Sequence, residues 1–385
     1  MSGKPFAMIY NVDKKSIRQV FPTSIVQQTA FWSEVKREQG VISAAFNFYA
    51  NPRFFHSEAS KPLENPSYIR GDILVLLQQL DREYCMAYVP YGPELEPLEE
   101  YRGPFLESLS ESLRTFLPPT CIAIRYDLSW SSPWAHDESC FDPQGIWLGP
   151  PSQQMQEFRL NFNTKEHNLW KANTDILPSH TIFLNLQKER NALLGAMKPK
   201  TRYNIQLSLR KGVTVHSKGI RHLELWYRLY AETAHRNRFY LHDIDYFRSV
   251  LSARAENTAS PADAKLLIAE HNGEPLAAMF MVISGKRGTY LYGASSSEKR
   301  NLMATYALQW QAIEKARAAG CTEYDMFGIS PRPEPSHPLY GLYRFKSGFG
   351  GSVHHTMGCW DYPLLPSLYS GFQSSEMVAQ GYHLA

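Results

Sequence analysis

The sequence predicts an α+β fold in which one β-β-β-α-β unit occurs twice. Three observations carry the prediction. Short strand-forming runs are separated by turn residues, an apolar stripe at helical spacing ends on a glycine, and the same order of elements recurs in both halves of the 385-residue chain.

The second half is the clearer one. "AKLLIAEHNGEPLAAMFMVISGKRGTYLYGAS" reads as three strands. Asn272-Gly273 joins the first two and suits a type I′ hairpin, whose two central residues both need positive φ. "GKRG" at 285–288 makes the next turn. In "MATYALQWQAIEKARAAG" the residues Ala304, Ala307, Leu308, Ala312, Ala316 and Ala319 fall three or four apart, and Gly320 is the expected helix stop. "TEYDMFGI" resumes as a strand.

In the first half, "VISAAFNFYA", "GDILVLLQQL" and "REYCMAYVPYG" are the strands. "LEPLEEYRGPFLESLSESLRTFL" supplies the helix and "TCIAIRYDL" the closing strand. Residues 129–180 are rich in Pro, Ser, Gln and Trp, lack periodicity and read as an irregular connection. Trp130, Trp134, Trp147 and Trp170 are expected mainly to pack that connection onto its domain. The resulting division is a first domain at 1–178, with the connection at 129–178 and completion by 356–385, and a second at 179–355. Between 187 and 256 two helices are expected, "KERNALLGAMKPKTRYNIQLSLRKG" ending on Gly212 and "RHLELWYRLYAETAHR". No heptad-patterned arm interrupts them.

Composition narrows the function classes. With 43% hydrophobic and 13% aromatic residues the chain can bury a large core. Forty basic against 37 acidic residues leave a net charge of +3, so a nucleic-acid partner requires a local basic patch. No run approaches a membrane span, and "MSGKPFAMIYNVDKKS" lacks an apolar signal core, so a cytoplasmic protein is expected. Cys85, Cys121, Cys140, Cys321 and Cys359 are scattered and form no metal-ligand spacing.

The run Lys198 to Lys211 holds Lys198, Lys200, Arg202, Arg210 and Lys211 and no acid. It could contact phosphates or be a solvated helix face; the absence of acids is unusual for the second. "SSSEKRNLMAT", ahead of the second-half helix, has no glycine to let backbone N–H groups approach a pyrophosphate. "LYRFKSGFGG" is not a phosphate loop either, because its lysine precedes the glycines. Lys346 is expected on a strand there, with Gly348, Gly350 and Gly351 bending it. No G-x-S-x-G context supports a serine nucleophile.

Several stretches together resemble the FemABX family, the aminoacyl-tRNA-dependent transferases that build peptidoglycan interpeptide branches. They are "TAFWSEVKREQG", "AYVPYGPEL", "IRYDL", "LLGAMKPKTRYNIQLSLRKGV", "LYGASS", "YDMFGI" and "YRFKSGFGG", in the family's order from about 29 to 351. The departures are Tyr91 where many relatives have a basic residue, and Leu128-Ser129 where the family has Pro-Glu. Without an arm the chain resembles the armless, FemX-like kind.

The resemblance implies tandem acetyltransferase-like (GNAT-type) domains and no cofactor. The implied partners are aminoacyl-tRNA and a peptidoglycan precursor, either UDP-MurNAc-pentapeptide or lipid II; the lipid-linked acceptor would bring peripheral membrane contact without a transmembrane segment. A primary amine, the side chain of stem residue three, would attack the aminoacyl ester. By the match, Lys346 and Asp127 are the catalytic residues, Lys346 as positive charge for the oxyanion and Asp127 to orient or accept the amine proton. Phe345 and Phe349 would hold the lysine stem. Lys36, Arg202, Tyr246 and Tyr91 would bind the acceptor, and Lys198, Lys200, Arg210, Lys211 and Phe345 the tRNA. Two other readings are an acyltransferase using coenzyme A or another carrier, and a non-catalytic protein that binds tRNA or wall precursor.

Overall fold

A computed structural model describes residues 7–56 and 67–383, with side chains described up to 377. The first six residues, read above for a leader, and the last two of the C-terminal completion lie outside them. In chain order the strands and helices are β1 (Ile9–Lys15), α1 (Ala30–Glu38), β2 (Ile42–Ala50), β3 (Ile69–Gln79), β4 (Cys85–Val89), α2 (Arg102–Arg114) and β5 (Cys121–Ser131). There follow α3 (Gln153–Leu160), β6 (Trp170–Lys171), β7 (His180–Asn185), α4 (Arg190–Ala196), α5 (Pro199–Arg210) and β8 (Thr214–Lys218). The remainder are α6 (Leu223–Asn237), α7 (Ile244–Ser252), β9 (Ala262–His271), β10 (Glu274–Ser284), β11 (Arg287–Ser295), α8 (Ala304–Ala318), β12 (Glu323–Asp325), α9 (Tyr340–Lys346), β13 (Ser352–Pro363) and α10 (Pro366–His383).

The chain forms two compact units, one of residues 1–21, 41–179 and 355–385 and one of residues 22–40 and 180–354. This differs from the sequence division at 22–40. That segment carries α1, and Ala30 N–H donates to Ser260 Oγ, 2.9 Å, within the second unit. A contact 230 residues away leaves no local trace in the sequence.

In the first unit the strands run in the order β1-β2-β3-β4-β5-β13, with β6 beside β13. Neighbours are antiparallel from β1 to β4, β4 and β5 are parallel across the α2 crossover, and β13 closes antiparallel on β5. The second unit repeats the plan as β7-β12-β11-β10-β9-β8. There β8 to β11 are antiparallel, β12 is parallel to β11 across α8, and β7 closes antiparallel on β12. Each is the acetyltransferase-like β-β-β-α-β arrangement read from the sequence, with one further strand at either end.

Local chemistry explains the clearest elements. Asn272 and Gly273 have φ of 51° and 78° and His271 pairs with Glu274, a two-residue turn of the type expected. On α8 the residues Ala304, Ala307, Leu308, Ala312, Ile313 and Ala316 are buried, and Gly320 (φ 82°) ends the helix in the left-handed region. Burial of this stripe positions the α8 side of the second core, which also holds Phe349, Tyr324 and Met326.

Elsewhere the structure corrects the reading. The segment from 187 to 212 is two helices, because Pro199 has no N–H to continue α4 and instead begins α5. After the expected second helix, α6, a further helix, α7, precedes 256. The "irregular" stretch contains α3 and β6, and Trp130 is a buried residue of β5 whose indole N–H donates to Pro93 O, 2.8 Å. Lys346 ends a helix rather than lying on a strand, and Gly350 and Gly351 (φ 84° and 88°) join a 3-10 turn to β13. The reason is packing at helical spacing, since Phe345 and Phe349 meet edge to face four residues apart. Among the described residues no helix is long and apolar enough to cross a membrane, no group of three or more acidic, His or Cys side chains is placed to hold a metal, and the five cysteines are free and buried.

Candidate active site

The lysine of the second unit sits in a cage made by three separate pieces of chain. Lys346 is 4% exposed, and its ammonium donates to Phe327 O at 3.0 Å and Gly328 O at 2.7 Å. Those carbonyls belong to the turn after β12, where Phe327 is left-handed (φ 57°) and its N–H donates to Asp325 Oδ1, 2.8 Å. Asp325 also accepts from the Thr181 hydroxyl. The Tyr290 ring lies 5.0 Å from the ammonium. Gly293 makes room for this ring, since a Cβ there would lie 1.7 Å from the Tyr290 hydroxyl. Burial lowers the Lys346 pKa to about 7, against the opposing pull of Asp325. An ammonium has three donors. Among the described residues two are held by backbone carbonyls and the third has no acceptor.

The helix carrying Lys346 is locked to α5. Lys198 N–H donates to Gly348 O at 2.9 Å and Lys198 Nζ to Ser347 Oγ at 3.2 Å. A Cβ on Gly348 would come within 2.3 Å of Thr201 Oγ1, so only glycine admits this approach. Phe345 packs edge to face on Tyr306 and Phe349 and does not itself cover the ammonium.

Asp127 lies on β5 of the first unit, opposite Cys359 of β13, and is 0% exposed. Its Oδ2 accepts from the Tyr88 hydroxyl at 2.9 Å and from Leu177 N–H at 2.8 Å. Its Oδ1 is buried and accepts no N–H or O–H hydrogen bond among the described residues, and the Cys359 thiol lies beside the carboxylate. Burial, then the charge of Asp175, raises its pKa to about 6. On the same face of β5, Arg125 is fully committed to Asp361 and Glu376.

Of the residues assigned to the acceptor, Lys36 and Tyr246 meet in the second unit, Arg202 there has other partners, and Tyr91 belongs to the first unit. Lys36 Nζ donates to Gln39 Oε1, 2.9 Å, and lies 5.3 Å from the ring centres of both Trp32 and Tyr246. Burial lowers its pKa to about 8. Tyr246 shares a hydroxyl hydrogen bond with Tyr292 and stacks on His242 at 4.5 Å. Arg202 caps the end of α4, donating to the carbonyls of Leu194, Gly195 and Met197. Tyr91 belongs to the first unit, where its hydroxyl donates to Pro178 O, 2.5 Å. On α5 and its flanks Lys198, Lys200, Arg210 and Lys211 are exposed beside the outward-facing Tyr203 and Leu209.

Comparison with known proteins gives this geometry its context. The model of the FemAB family matches residues 21–259 and 252–376. The chain belongs to the FemAB family. Among its relatives, the lipid II:glycine glycyltransferase of Staphylococcus saprophyticus is 25% identical over 267 residues, covering 54% of this chain and 64% of that protein. The enzyme of the same name from Staphylococcus aureus (strain USA300) is 24% identical over 272 residues, covering 54% and 65%. The chain thus spans a little under two thirds of these curated relatives. The crystal structure of FemX covers 94% of this chain and 100% of its own at a TM-score of 0.69 and 18% identity, which shows the same tandem fold.

In this FemAB chain three of the stretches that carried the resemblance are physical neighbours within the second unit. "YDMFGI" supplies the carbonyl turn, "FKSGFGG" the lysine it binds, and "MKPKTRYNI" the helix start that packs on Gly348. Sequence reasoning missed Asp325, Tyr290, Tyr88 and Asp175. Asp325, Tyr290 and Tyr88 stood inside or beside quoted stretches. Tyr88 alternates in a strand like any buried tyrosine, and Asp175 in "ANTDILPS" carries no signal.

Proposed function

We propose that this chain transfers an amino acid from aminoacyl-tRNA to the side-chain amine of residue three of a peptidoglycan stem peptide, making an interpeptide branch. The reading rests on membership of the FemAB family and on one observation above all. Asp127 is a buried carboxylate with one oxygen unpaired and its pKa raised to about 6.

The attacking amine starts as an ammonium near pKa ~10 and must lose a proton. Raising the carboxyl from 3.8 to about 6 narrows the proton-transfer gap by on the order of 3 kcal/mol, which favours proton acceptance over orientation alone. The amine nitrogen then forms a bond to the ester carbonyl carbon, the ester C–O bond breaks, and the tRNA ribose oxygen leaves with the second proton given up by that nitrogen. Lys346, with its third donor, supplies positive charge to the carbonyl oxygen as it becomes an oxyanion. Because Oδ1 is closed to solvent, the amine reaches it only when side chains around that oxygen move aside.

Lys36, within aromatic faces and without a carboxylate partner among the described residues, is the cation best placed to take an acceptor anion. The exposed cations of α5 suit the tRNA backbone. The reaction is assigned to the cytoplasm, with the acceptor either the soluble UDP-linked pentapeptide or lipid II at the leaflet surface. The test is incubation of the purified chain with labelled aminoacyl-tRNAs and each acceptor, with acetyl-coenzyme A in a parallel arm. Label should enter a branched stem peptide. Label transferred only from the coenzyme, or binding without transfer, overturns the reading.

A further inference from the structure

We infer that Asp175 is a positioning residue for Asp127: it anchors residues 171–179 on β13 so that one oxygen of Asp127 is saturated and the other is left for the substrate amine. The inference rests on Asp127 being the proton acceptor of the reaction proposed above.

The anchor begins with a glycine. Pairing of β13 with β5 shifts register between Thr356 and Gly358, and Gly358 has φ 64°. A Cβ at Gly358 would stand 2.3 Å from Asp175 Oδ1, so the bulge and the missing side chain together admit the carboxylate. There Asp175 Oδ1 accepts from Cys359 N–H at 2.7 Å and from Lys171 Nζ at 2.8 Å. Lys171 in turn donates to Cys359 O, 2.9 Å, which fixes the start of the segment to the same strand.

The effect appears two residues later. Ile176 N–H points at Cys359 Sγ, 3.4 Å, and Leu177 N–H donates to Asp127 Oδ2, 2.8 Å. Pro178 O accepts from Tyr91, so the segment is held at both ends. Tyr88 fills the remaining position on Oδ2. A carboxylate rotates about one bond, and pinning Oδ2 with two donors fixes where Oδ1 points. The groups facing Asp127 are Tyr88 from β4, the Cys359 thiol from β13, and Leu177 N–H and Asp175 from the segment. The anchor also has a charge. Although burial opposes it, Lys171 holds the Asp175 carboxyl below its ordinary value, so Asp175 is an anion that raises its neighbour.

Two substitutions separate the charge from the anchor. Asp175→Asn keeps an oxygen for Cys359 N–H and removes the charge, whereas Asp175→Ala and Gly358→Ala release the segment. The first readout does not need activity: carbon-13 titration of the Asp127 carboxyl in the full-length protein, assigned by its loss in Asp127→Asn. In Asp175→Asn the midpoint should fall by about one pH unit. In Asp175→Ala the lost Leu177 N–H opposes that fall, and in Gly358→Ala, which keeps the charge, it raises the midpoint, so both stay above Asp175→Asn. The second readout is transfer, where the acid limb of kcat should move down with the Asn variant. In the Ala variants kcat should drop about tenfold or more with KM for both substrates unchanged. An Asp127 midpoint unmoved in Asp175→Asn, or full kcat in Asp175→Ala, overturns the inference. If the unmodified protein transfers nothing from any aminoacyl-tRNA, the proposed function fails on its own, and the titration still decides the anchor.

Discussion

Lys346 and Asp127 are both buried ions on related scaffolds, yet they are held in opposite ways. Lys346 has two of three donors bound to carbonyls of one turn, and an aromatic ring beside it. Asp127 has one oxygen doubly bonded and the other bare. The lysine is therefore tied to backbone in the resting protein, whereas one oxygen of the carboxylate takes no N–H or O–H donor from the described residues. A buried polar atom without a partner is costly, about 1–3 kcal/mol. A fold tolerates that cost where a ligand supplies the missing bond.

The largest effect that can break this contrast comes from Lys346→Met. Transfer should fall by about a hundredfold to a thousandfold. The Phe327 and Gly328 carbonyls should meanwhile lose their donor at a stability cost of about 1–3 kcal/mol. Rate and thermal melt measured together decide it: a destabilised variant with unchanged turnover would leave Lys346 a purely structural cap.

Asp127→Asn should cost about a hundredfold or more, with the fold intact. The pH profile sharpens the comparison further. In the proposed mechanism Asp127 acts ionised and Lys346 charged, so activity should rise through about 6 and fall above about 7. A narrow bell is expected for the unmodified protein, and Asp127→Asn should erase its acid limb. An acid limb that survives in the Asn variant assigns that proton elsewhere.

A smaller effect is expected on the solvent side. Replacing Lys200, Arg210 and Lys211 by alanine should weaken aminoacyl-tRNA binding about tenfold and flatten its salt dependence by roughly 2 in log–log slope. An unchanged slope removes α5 from the tRNA surface. Least affected should be acceptor binding in Arg202→Ala. Its guanidinium caps α4, so denaturant unfolding should show a loss of about 1–2 kcal/mol while acceptor KM stays within twofold. A tenfold KM rise at unchanged stability would return Arg202 to the acceptor site.

What was legible in the sequence follows the range of the interactions. The Asn272-Gly273 turn and the α8 stripe depend on adjacent residues, so their spacing announced them. Lys346 was found through a stretch of matching residues, but its helix was not, because "YRFKSGFGG" mixes aromatics and glycines that suit a bent strand equally well. The segment 22–40 and Asp175 were misplaced or missed because their partners lie hundreds of residues away, at Ser260 and Cys359. Tyr91 was read as an acceptor ligand, and in the structure its hydroxyl is engaged by Pro178 O.

The close fit of Gly348 against Thr201 has a mechanical side. Gly348 brings only backbone to the contact, against the Thr201 side chain, and Lys198 N–H donates directly to Gly348 O. The basic helix and the lysine helix therefore behave as one lever with no slack at the fulcrum. On the proposed reading, a polyanion held at Lys200, Arg210 or Lys211 would load the contact that ties α5 to the helix of Lys346.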